Sequence, residues 1–372
     1  MKRRALLAGG GATAIVFAGG RSRAATSKAI PSVDRLTVTN VVDNLYDIFI
    51  ADPQRSDVAV RRTLPRIGRT QLISEHGLAL HVASTRGAEE RIVLLDFAFT
   101  GATLSHDYDV LGIDPGTADA LVISHGHLDH WGGFADLQRA QRARFKPGLT
   151  LFAGGEDTFC HRVIAGPGGN LIDSGQFDRR QIESTGGVKI AVLPEPATLL
   201  GHGMTSGQIP RRTDFEKTPA SWNLQAGAGE LCGLPRDVVN AAHDHFAVAQ
   251  VNGEGGTLLP DTMRGEFAPF YNVKGRGLVV LLSCGHSGTI NTIRWIQQVS
   301  GIEKVHAIVG GMHLAPAPDE VIRRTVDALV EINPDYVAPM HCTGYRAATL
   351  MRQRLPGKVI DQSTGTQFVF GV

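Results

Sequence analysis

The densest group of chemically active side chains in this sequence lies in Ser124–His130, where His125, His127, Asp129 and His130 form the pattern H-x-H-x-D-H. Imidazole is the commonest protein ligand for zinc, and a carboxylate often completes such sites. In an extended segment His125 and His127 point to the same side, because side chains alternate. Asp129 and His130 come at the turn into the next element. This one loop can therefore supply ligands to two adjacent metal ions.

Strands predicted from apolar runs would bring further histidines to the same place. The run Ala120–Ile123 predicts a strand that ends at the histidine-rich loop. In the C-terminal half, single histidines follow three more predicted strands: His286 after Leu278–Ser283, His313 after Lys304–Val309, and His341 after Tyr336–Ala338. Ligands at the ends of several strands converge at one edge of a sheet in α/β scaffolds, so we expect one shared metal site.

The remaining elements predict two sheets with helices outside. Further strands are expected at Arg35–Val42, Gln71–Ser74, Leu78–Ala83, Arg91–Leu95, Leu149–Phe152, Val188–Leu193, Val359–Asp361 and Gln367–Phe370. Helices are expected at Phe134–Ala143, Thr289–Val299, Glu320–Ile332 and Ala347–Leu355. Strands come first and strand–helix alternation follows, which favours a layered α/β or α+β fold. Residues from about 154 to 274 are rich in glycine and proline and predict a long loop-rich insertion that carries specificity.

Composition excludes some classes of protein. The 372 residues are 42% hydrophobic and 20% charged, which is ordinary for a soluble enzyme. The net charge of +1 includes five basic residues and no acidic one within the first 24, which leaves −4 for the rest of the chain. We therefore expect a small-molecule substrate and no nucleic-acid partner. The oligomeric state is left open.

The N-terminus predicts export. Arg3 and Arg4 precede a weakly apolar run, and Ser22-Arg23-Ala24 offers a cleavage site for residues 1–24. The paired arginines resemble a twin-arginine signal, which carries folded proteins to the periplasm. No stable membrane anchor is expected, because the run is short and diluted with glycine against the ~20 apolar residues that a span needs.

Four cysteines are too few for a disulfide scaffold and lack the spacing of a structural zinc site. Cys284 comes two residues before His286, and Cys342 directly follows His341. If both histidines bind one metal, these two thiols lie near it. Either a disulfide between them or two buried free thiols fits this arrangement.

Taken together, these motifs resemble the metallo-β-lactamase-fold superfamily. Within it, the chain resembles the branch described as dihydropteroate-synthase-like, or dihydropterin–ribofuranosylaminobenzene-phosphate synthase-like. The matching segments are Val42–Asn44, Glu75–Leu78, Leu94–Asp96, Ser124–Gly133, Gly207–Arg211, Ser283–His286, Gly310–Leu314 and His341–Gly344. The resemblance implies one domain over residues 30–372, a four-layered αββα sandwich with its metals at one edge.

The resemblance also implies a set of ligands. His125, His127 and His286 would hold a first metal, and Asp129, His130 and His341 a second. Asp96 would orient the loop through hydrogen bonds. We expect one or two Zn2+ ions and do not exclude iron or manganese.

The chain departs from the superfamily pattern at one ligand. The aspartate that usually bridges the two metals is absent after Lys304–Val309, where Gly310-Gly311-Met312-His313 stands instead, so ligation by His313 is left open. His202 competes with His286 as the third ligand of the first metal, and we prefer His286 because a clear strand precedes it. His243-Asp244-His245 is interpreted as a solvated loop.

The predicted function is hydrolysis of an ester, phosphodiester or lactone-like bond in a small anionic substrate by a metal-bound hydroxide. Asp129 would act as general base and acid, and we assign Arg211, Arg212 and Thr343 to substrate binding. One alternative is a transferase of the synthase type. Export argues against it, because such pathway intermediates are expected in the cytoplasm. A non-catalytic metal-binding protein is the other alternative.

Overall fold

The structure, a computed structural model, describes residues 30–51, 55–63, 71–166, 170–218, 221–227, 230–235, 237–238, 251–253 and 256–371. The predicted signal peptide, residues 1–24, and the loop His243–His245 lie outside these ranges. None of the helices in the described ranges is long and apolar enough to cross a membrane.

Most of the predicted strands are present, close to the apolar runs that predicted them. In chain order the strands are β1 (Ser32–Val33), β2 (Arg35–Val42), β3 (Val58–Arg62), β4 (Ala79–Arg86), β5 (Glu89–Leu95), β6 (Ala120–Ile123), β7 (Thr150–Ala153), β8 (His161–Ala165), β9 (Leu171–Gln176), β10 (Lys189–Val192), β11 (Ala197–Leu199), β12 (Gly203–Thr205), β13 (Trp222–Ala226), β14 (Glu230–Leu231), β15 (Leu234–Pro235), β16 (Val251–Gly253), β17 (Gly256–Pro260), β18 (Pro269–Val273), β19 (Gly277–Leu282), β20 (Val305–Gly311), β21 (Tyr336–Met340) and β22 (Thr366–Phe370).

The α-helices pack outside the two large sheets. They are α1 (Gly101–Leu111), α2 (Leu128–Trp131), α3 (Phe134–Gln141), α4 (Arg179–Thr185), α5 (Thr289–Ser300), α6 (Asp319–Ile332) and α7 (Tyr345–Arg354). A short 3-10 helix, His341–Thr343, links β21 to α7.

Two sheets form the body of the fold. The first has the strand order β10-β7-β6-β5-β4-β2-β22-β3, and the second has the order β11-β12-β18-β19-β20-β21 with β1 also beside β18. Strands β5, β6, β7 and β10 are mutually parallel, and so are β19, β20 and β21. Parallel strands place all their carboxyl ends at one edge, so the loops after β5, β6, β19, β20 and β21 can meet.

Alternation along the buried strands explains the four layers. In β19, Val279 and Leu281 belong to the core between the sheets, while Leu278, Val280 and Leu282 pack against α5 and α6. On the other side, β6 divides its side chains in the same way between the inter-sheet core and a cluster under α1 and α3. The predicted αββα sandwich is therefore confirmed.

Two expectations about the elements were wrong, and one helix was missed. Gln71–Ser74 is not a strand, because the Ile73 N–H donates to the Asp107 carboxylate instead of to a neighbouring strand. Val359–Asp361 makes only an isolated bridge from Val359 to Val337. Helix α1 was not predicted, since it buries polar side chains such as Thr103 and Asp107 and so lacks a clean apolar stripe.

The expected loop-rich insertion contains more sheet than its composition suggested. Strands β16, β17, β13, β8 and β9 form a separate antiparallel sheet. Strand β10 is part of the first large sheet, and β11, β12 and β18 are part of the second. A disulfide between Cys160 and Cys232, which the sequence did not predict, ties β8 to the β14–β15 hairpin.

The buried Asp107 of α1 yields a prediction about stability. Burial raises the pKa of its carboxyl from 3.8 to about 7. A carboxyl with a higher pKa in the folded chain contributes stability below the unfolded value of 3.8, and that contribution is lost as the pH rises through about 7. We therefore expect Asp107→Asn, which keeps the acceptor for Ile73, to raise Tm by a few degrees at pH 8 and hardly at all at pH 4.

Thermal unfolding at both pH values tests this expectation. Asp109→Asn is the matched control, because Asp109 lies on the same helix and is exposed. If Asp107→Asn shifts Tm equally at both pH values, the carboxyl is not protonated in the native protein.

Candidate metal centre

The loop after β6 is held from beneath by Asp96, which follows β5. The Asp96 carboxylate accepts hydrogen bonds from the N–H and the hydroxyl of Ser124, both at 2.8 Å, and lies 2.7 Å from Nδ1 of His130. A donor at Nδ1 leaves the lone pair of Nε2 facing away from Asp96 and into the site. Asp96 thus makes hydrogen bonds of the kind expected from the sequence.

A buried arginine fixes the same loop from the side. The Arg162 guanidinium donates to the carbonyls of Gly126, Thr158, Cys160 and Asp157 at 2.8–3.3 Å. A Cβ at Gly126 would lie 2.0 Å from Nη1 of Arg162, which explains why glycine separates the two histidines. The sequence did not point to Arg162, because a lone arginine in a loop-rich segment is usually solvated.

The first ligand group consists of His125, His127 and His286. One nitrogen of each lies within 4.8 Å of the others, and the ring centroids are 4.6–4.8 Å apart. Nε2 of His125 and His127 and both ring nitrogens of His286 are buried without a hydrogen-bond partner among the described residues. Such atoms are rare in folded proteins, and a bound metal would satisfy them. The donor set therefore fits a zinc-type ion.

The electrostatic environment keeps the three imidazoles of the first group in the neutral form that binds a metal. Burial, followed by repulsion from neighbouring imidazoles, lowers the pKa of all three histidines well below 6.5. They are neutral at pH 7, so their lone pairs are free for a cation. The Trp222 ring also stacks on His127 at 3.7 Å between centroids and fixes its plane.

The competing ligand His202 lies elsewhere. Its ring nitrogens are 3.0 Å from the Ser84 hydroxyl and 3.3 Å from the Glu89 carboxylate, on the β4–β5 hairpin. His286, by contrast, is held in the site through its own backbone N–H, which donates to Glu266 at 2.8 Å. The geometry therefore supports the choice of His286.

The second ligand group consists of His76, Asp129 and His341. Oδ2 of Asp129 lies 3.5 Å from Nε2 of His76, 3.2 Å from that of His341 and 3.7 Å from that of His130. His76 was not predicted as a ligand. It precedes β4, far from the other histidines in sequence, and the Leu78 N–H brings it to the site by donating to the Asp129 carbonyl at 3.1 Å.

The members of this group influence each other's charge. Burial opposes ionisation of Asp129, but His130 and His341 together lower its pKa below the usual range. Burial also opposes the charged form of His341, but Cys342 and Asp129 raise its pKa to about 9. An ionised carboxylate beside a cationic ring forms a site from which a metal would displace the proton of His341.

His341 is positioned by the segment that follows β2. Its N–H donates to Asp43 at 2.7 Å, and its Nδ1 lies 3.0 Å from the side-chain oxygen of Asn44. The residue adopts φ of +47°, a conformation that needs such support outside glycine. The second ligand group thus depends on a contact between residues almost 300 positions apart in sequence.

His313 and the two free cysteines lie beside both groups. The His313 ring is 4.2 Å from that of His286, but its nitrogen forms a ligand group with Cys284 and Cys342. Sγ of Cys284 is 3.2 Å from Nε2 of His130 and 3.3 Å from Sγ of Cys342. Of the two arrangements left open by the sequence, the structure has buried free thiols.

The residues assigned to substrate binding separate into different places. Arg211 is exposed, and its guanidinium donates to the His286 carbonyl at 3.1 Å. Arg212 instead donates to Gln298 and lies over the Trp295 ring, both on α5. Thr343 is buried, with its hydroxyl 3.5 Å from the Gly310 carbonyl. Of these three residues, therefore, Arg211 alone has a charged group beside the metal centre.

A cavity of about 440 Å3 opens next to the first ligand group. Its wall is mostly apolar, and it reaches both His286 and His313. Residues that line it include Phe215, Lys217, Met312, Leu314, Ala317 and Val321. A smaller cavity of about 250 Å3 beside Ser287 is lined by Arg211 and Arg264.

Comparisons with known proteins agree with this architecture. The sequence profile of the metallo-beta-lactamase superfamily matches residues 87–211. The chain is 33% identical over 235 residues to the uncharacterized protein MJ0448 of Methanocaldococcus jannaschii, covering 63% of this chain and 73% of that protein. It is 24% identical over 287 residues to the 7,8-dihydropterin-6-methyl-4-(beta-D-ribofuranosyl)-aminobenzene-5'-phosphate synthase of the same organism, covering 75% of this chain and 85% of the synthase.

A solved structure shows the same fold. Tm1679, described as a metal-dependent hydrolase of the beta-lactamase superfamily, superposes with a TM-score of 0.61 at 19% identity. The superposition covers 89% of this chain and 98% of that structure. From the profile match, the relatives and the shared fold, the chain belongs to the metallo-β-lactamase superfamily.

Proposed function

We propose that this protein is a metal-dependent hydrolase that cleaves an ester, phosphodiester or lactone-like bond in a small anionic substrate, with one or two zinc ions. The observation that carries the proposal is the convergence of two three-residue ligand groups at one edge of the sandwich. The His130 ring lies between them, 4.3 Å from the His125 ring and 5.0 Å from the His341 ring. Ions held there would lower the pKa of a water and polarise the bond to be cleaved.

The residues around the second group can move the proton that hydrolysis requires. Asp129 is ionised and partly exposed, so its carboxylate can accept a proton from the attacking water. His76 lies 3.5 Å from that carboxylate with two-thirds of its side chain exposed, so this end of the second group is open to the solvent that takes up the proton. The chain thus offers a proton acceptor without a serine or cysteine nucleophile.

The surroundings support a substrate with a charged end and an apolar part. Arg211 and Arg264 border one side of the His286 loop and suit a phosphate or carboxylate. On the other side, the apolar wall formed by Phe215 and Met312 would exclude water from the bond that is cleaved. Lys217 lines the same cavity and places a positive charge on this side as well.

Hydrolysis of bis(p-nitrophenyl) phosphate, a nitrophenyl ester and a lactone by zinc-loaded protein tests the proposal. We expect Asp129→Asn to lower kcat on the cleaved substrate by at least about 100-fold, because general-base catalysis typically contributes 10²–10⁴-fold. Asp136→Asn is the control, since Asp136 is an exposed carboxylate on nearby α3. Undiminished turnover in Asp129→Asn would remove that residue from the mechanism.

The alternative function is a transferase of the synthase type, and the relation to the Methanocaldococcus jannaschii synthase favours it. Condensation of a dihydropterin with a ribofuranosylaminobenzene phosphate, together with no hydrolysis of any ester, would decide for the transferase. Two bound metals without either activity would decide for a non-catalytic metal-binding protein.

The proposed location is the periplasm. The Cys160–Cys232 disulfide fits an oxidising compartment, as does the predicted export signal. Fractionation of cells that express the full chain tests this location, and recovery of the uncleaved protein in the cytoplasm would contradict it.

A further inference from the structure

Cys284 lies where the two ligand groups meet. It follows β19 by two residues, and its Sγ is 3.2 Å from Nε2 of His130. It forms a ligand group with His125, a member of the first group, and with His130, which lies 3.7 Å from the Asp129 carboxylate of the second. Its sulfur therefore lies beside the first group and contacts His130, the residue between the two groups.

Cys342 is also a cysteine, but it lies farther from the first ligand group than Cys284 does. Its Sγ is 3.3 Å from that of Cys284 and accepts the His313 N–H at 3.2 Å. Among the described residues, Cys342 forms a ligand group with Cys284 and His313 and with no member of the first or second group. Both thiols are buried. Position therefore distinguishes them.

Anionic side chains are scarce among the ligand groups. The first group holds three neutral imidazoles, and Asp129 is the single carboxylate among the two groups. The carboxylates of Asp96, Asp43 and Glu266 contact the ligands from outside, so a thiolate would add a second anionic side chain that can touch the ions. The segment after β20 supplies no aspartate, because Met312 and His313 stand there.

We propose that Cys284 is a thiolate ligand of the metal centre, bound to an ion beside His125 and His130, and that Cys342 does not bind metal. On binding, the S–H bond breaks, the proton leaves to solvent and a sulfur–metal bond forms, with no change of oxidation state. Thiolate is a soft ligand that favours zinc or iron over manganese. The cysteine thereby narrows the choice of metal that histidine and aspartate alone leave open.

Cobalt substitution tests the assignment without any substrate, so its outcome is independent of the proposed hydrolysis. Full-length protein loaded with Co2+ should show a thiolate-to-cobalt charge-transfer band in the near ultraviolet. We expect Cys284→Ser to lose the band and to bind zinc at least about 100-fold more weakly, since even outer partners of a ligand cost 10–100-fold. Cys342→Ser, the matched control, should keep the band and change zinc affinity far less.

X-ray absorption of the unmodified zinc protein gives a second measurement, in case Cys284→Ser does not fold. We expect a sulfur scatterer at about 2.3 Å from zinc. Absence of that scatterer would overturn the proposal. Retention of the cobalt band in Cys284→Ser would do so too, and so would its loss in Cys342→Ser.

Discussion

Replacing His286 with alanine should remove the first metal and reduce hydrolysis by well over 100-fold. His286 is one of three neutral, buried imidazoles whose nitrogens lie within 4.8 Å of one another, and both of its ring nitrogens lack any other partner among the described residues. Outer-sphere partners of metal ligands typically cost 10–100-fold in affinity or activity, and a direct ligand should cost more. Metal content by mass spectrometry, together with turnover of the best substrate, measures the effect.

His202→Ala is the matched control for this variant. His202 was the rival ligand by sequence spacing, yet its ring contacts Ser84 and Glu89. We expect His202→Ala to keep its full metal content, and any loss of stability should come from the hairpin contacts alone. If His202→Ala loses the metal while His286→Ala keeps it, the third ligand has been assigned to the wrong histidine.

Replacing Arg162 with methionine should lower the free energy of unfolding by about 3–5 kcal/mol, the usual cost of breaking a buried ion pair from one side. The Arg162 guanidinium pairs with Asp261 at 2.7 Å, and both side chains are almost completely buried. Without it, the Asp261 carboxylate loses its ion pair, and among the described residues the Gly126 carbonyl keeps one donor, the Trp131 indole. Denaturant unfolding of the metal-free protein measures the loss.

The same substitution should also weaken metal binding, since Gly126 separates the two ligands His125 and His127. Arg139→Met serves as the control, because the Arg139 side chain is more than half exposed and pairs with an equally exposed Asp136. Exposed pairs contribute little to stability, so this control should change it by less than about 1 kcal/mol. Equal effects of the two substitutions would show that Arg162 does not support the loop.

The sequence was most informative where local chemistry and periodicity agree. The apolar run before His125 predicted β6 residue for residue, and the helix predicted at Glu320–Ile332 begins one residue earlier in the structure. The proximity of the side chains in the first ligand group could be predicted because H-x-H is a local pattern and His286 follows a clear strand. The Asp96 contacts could be predicted because the resemblance named that carboxylate.

What the sequence did not reveal depends on contacts between distant segments. His76 reaches Asp129 only because the start of β4 bonds the metal loop, and no local pattern marks that contact. Arg162 is buried because β8 belongs to a sheet that its glycine-rich surroundings did not predict. Arg212 shows the opposite error, since its neighbour Arg211 lies at the centre while the alternation of the chain turns Arg212 towards α5.

Each ligand group draws on both sheets of the sandwich. His125 and His127 come from the loop of the first sheet and His286 from the second, while His76 and Asp129 face His341 in the same way. A complete set of ligands therefore exists only after the two halves of the chain have packed against each other. Tight metal binding then requires correct packing of the two sheets. A chain in which they are packed wrongly offers the ion an incomplete site and retains it weakly. The predicted twin-arginine signal implies that the protein folds before export. Tightly bound metal would then distinguish correctly folded molecules from incompletely folded ones.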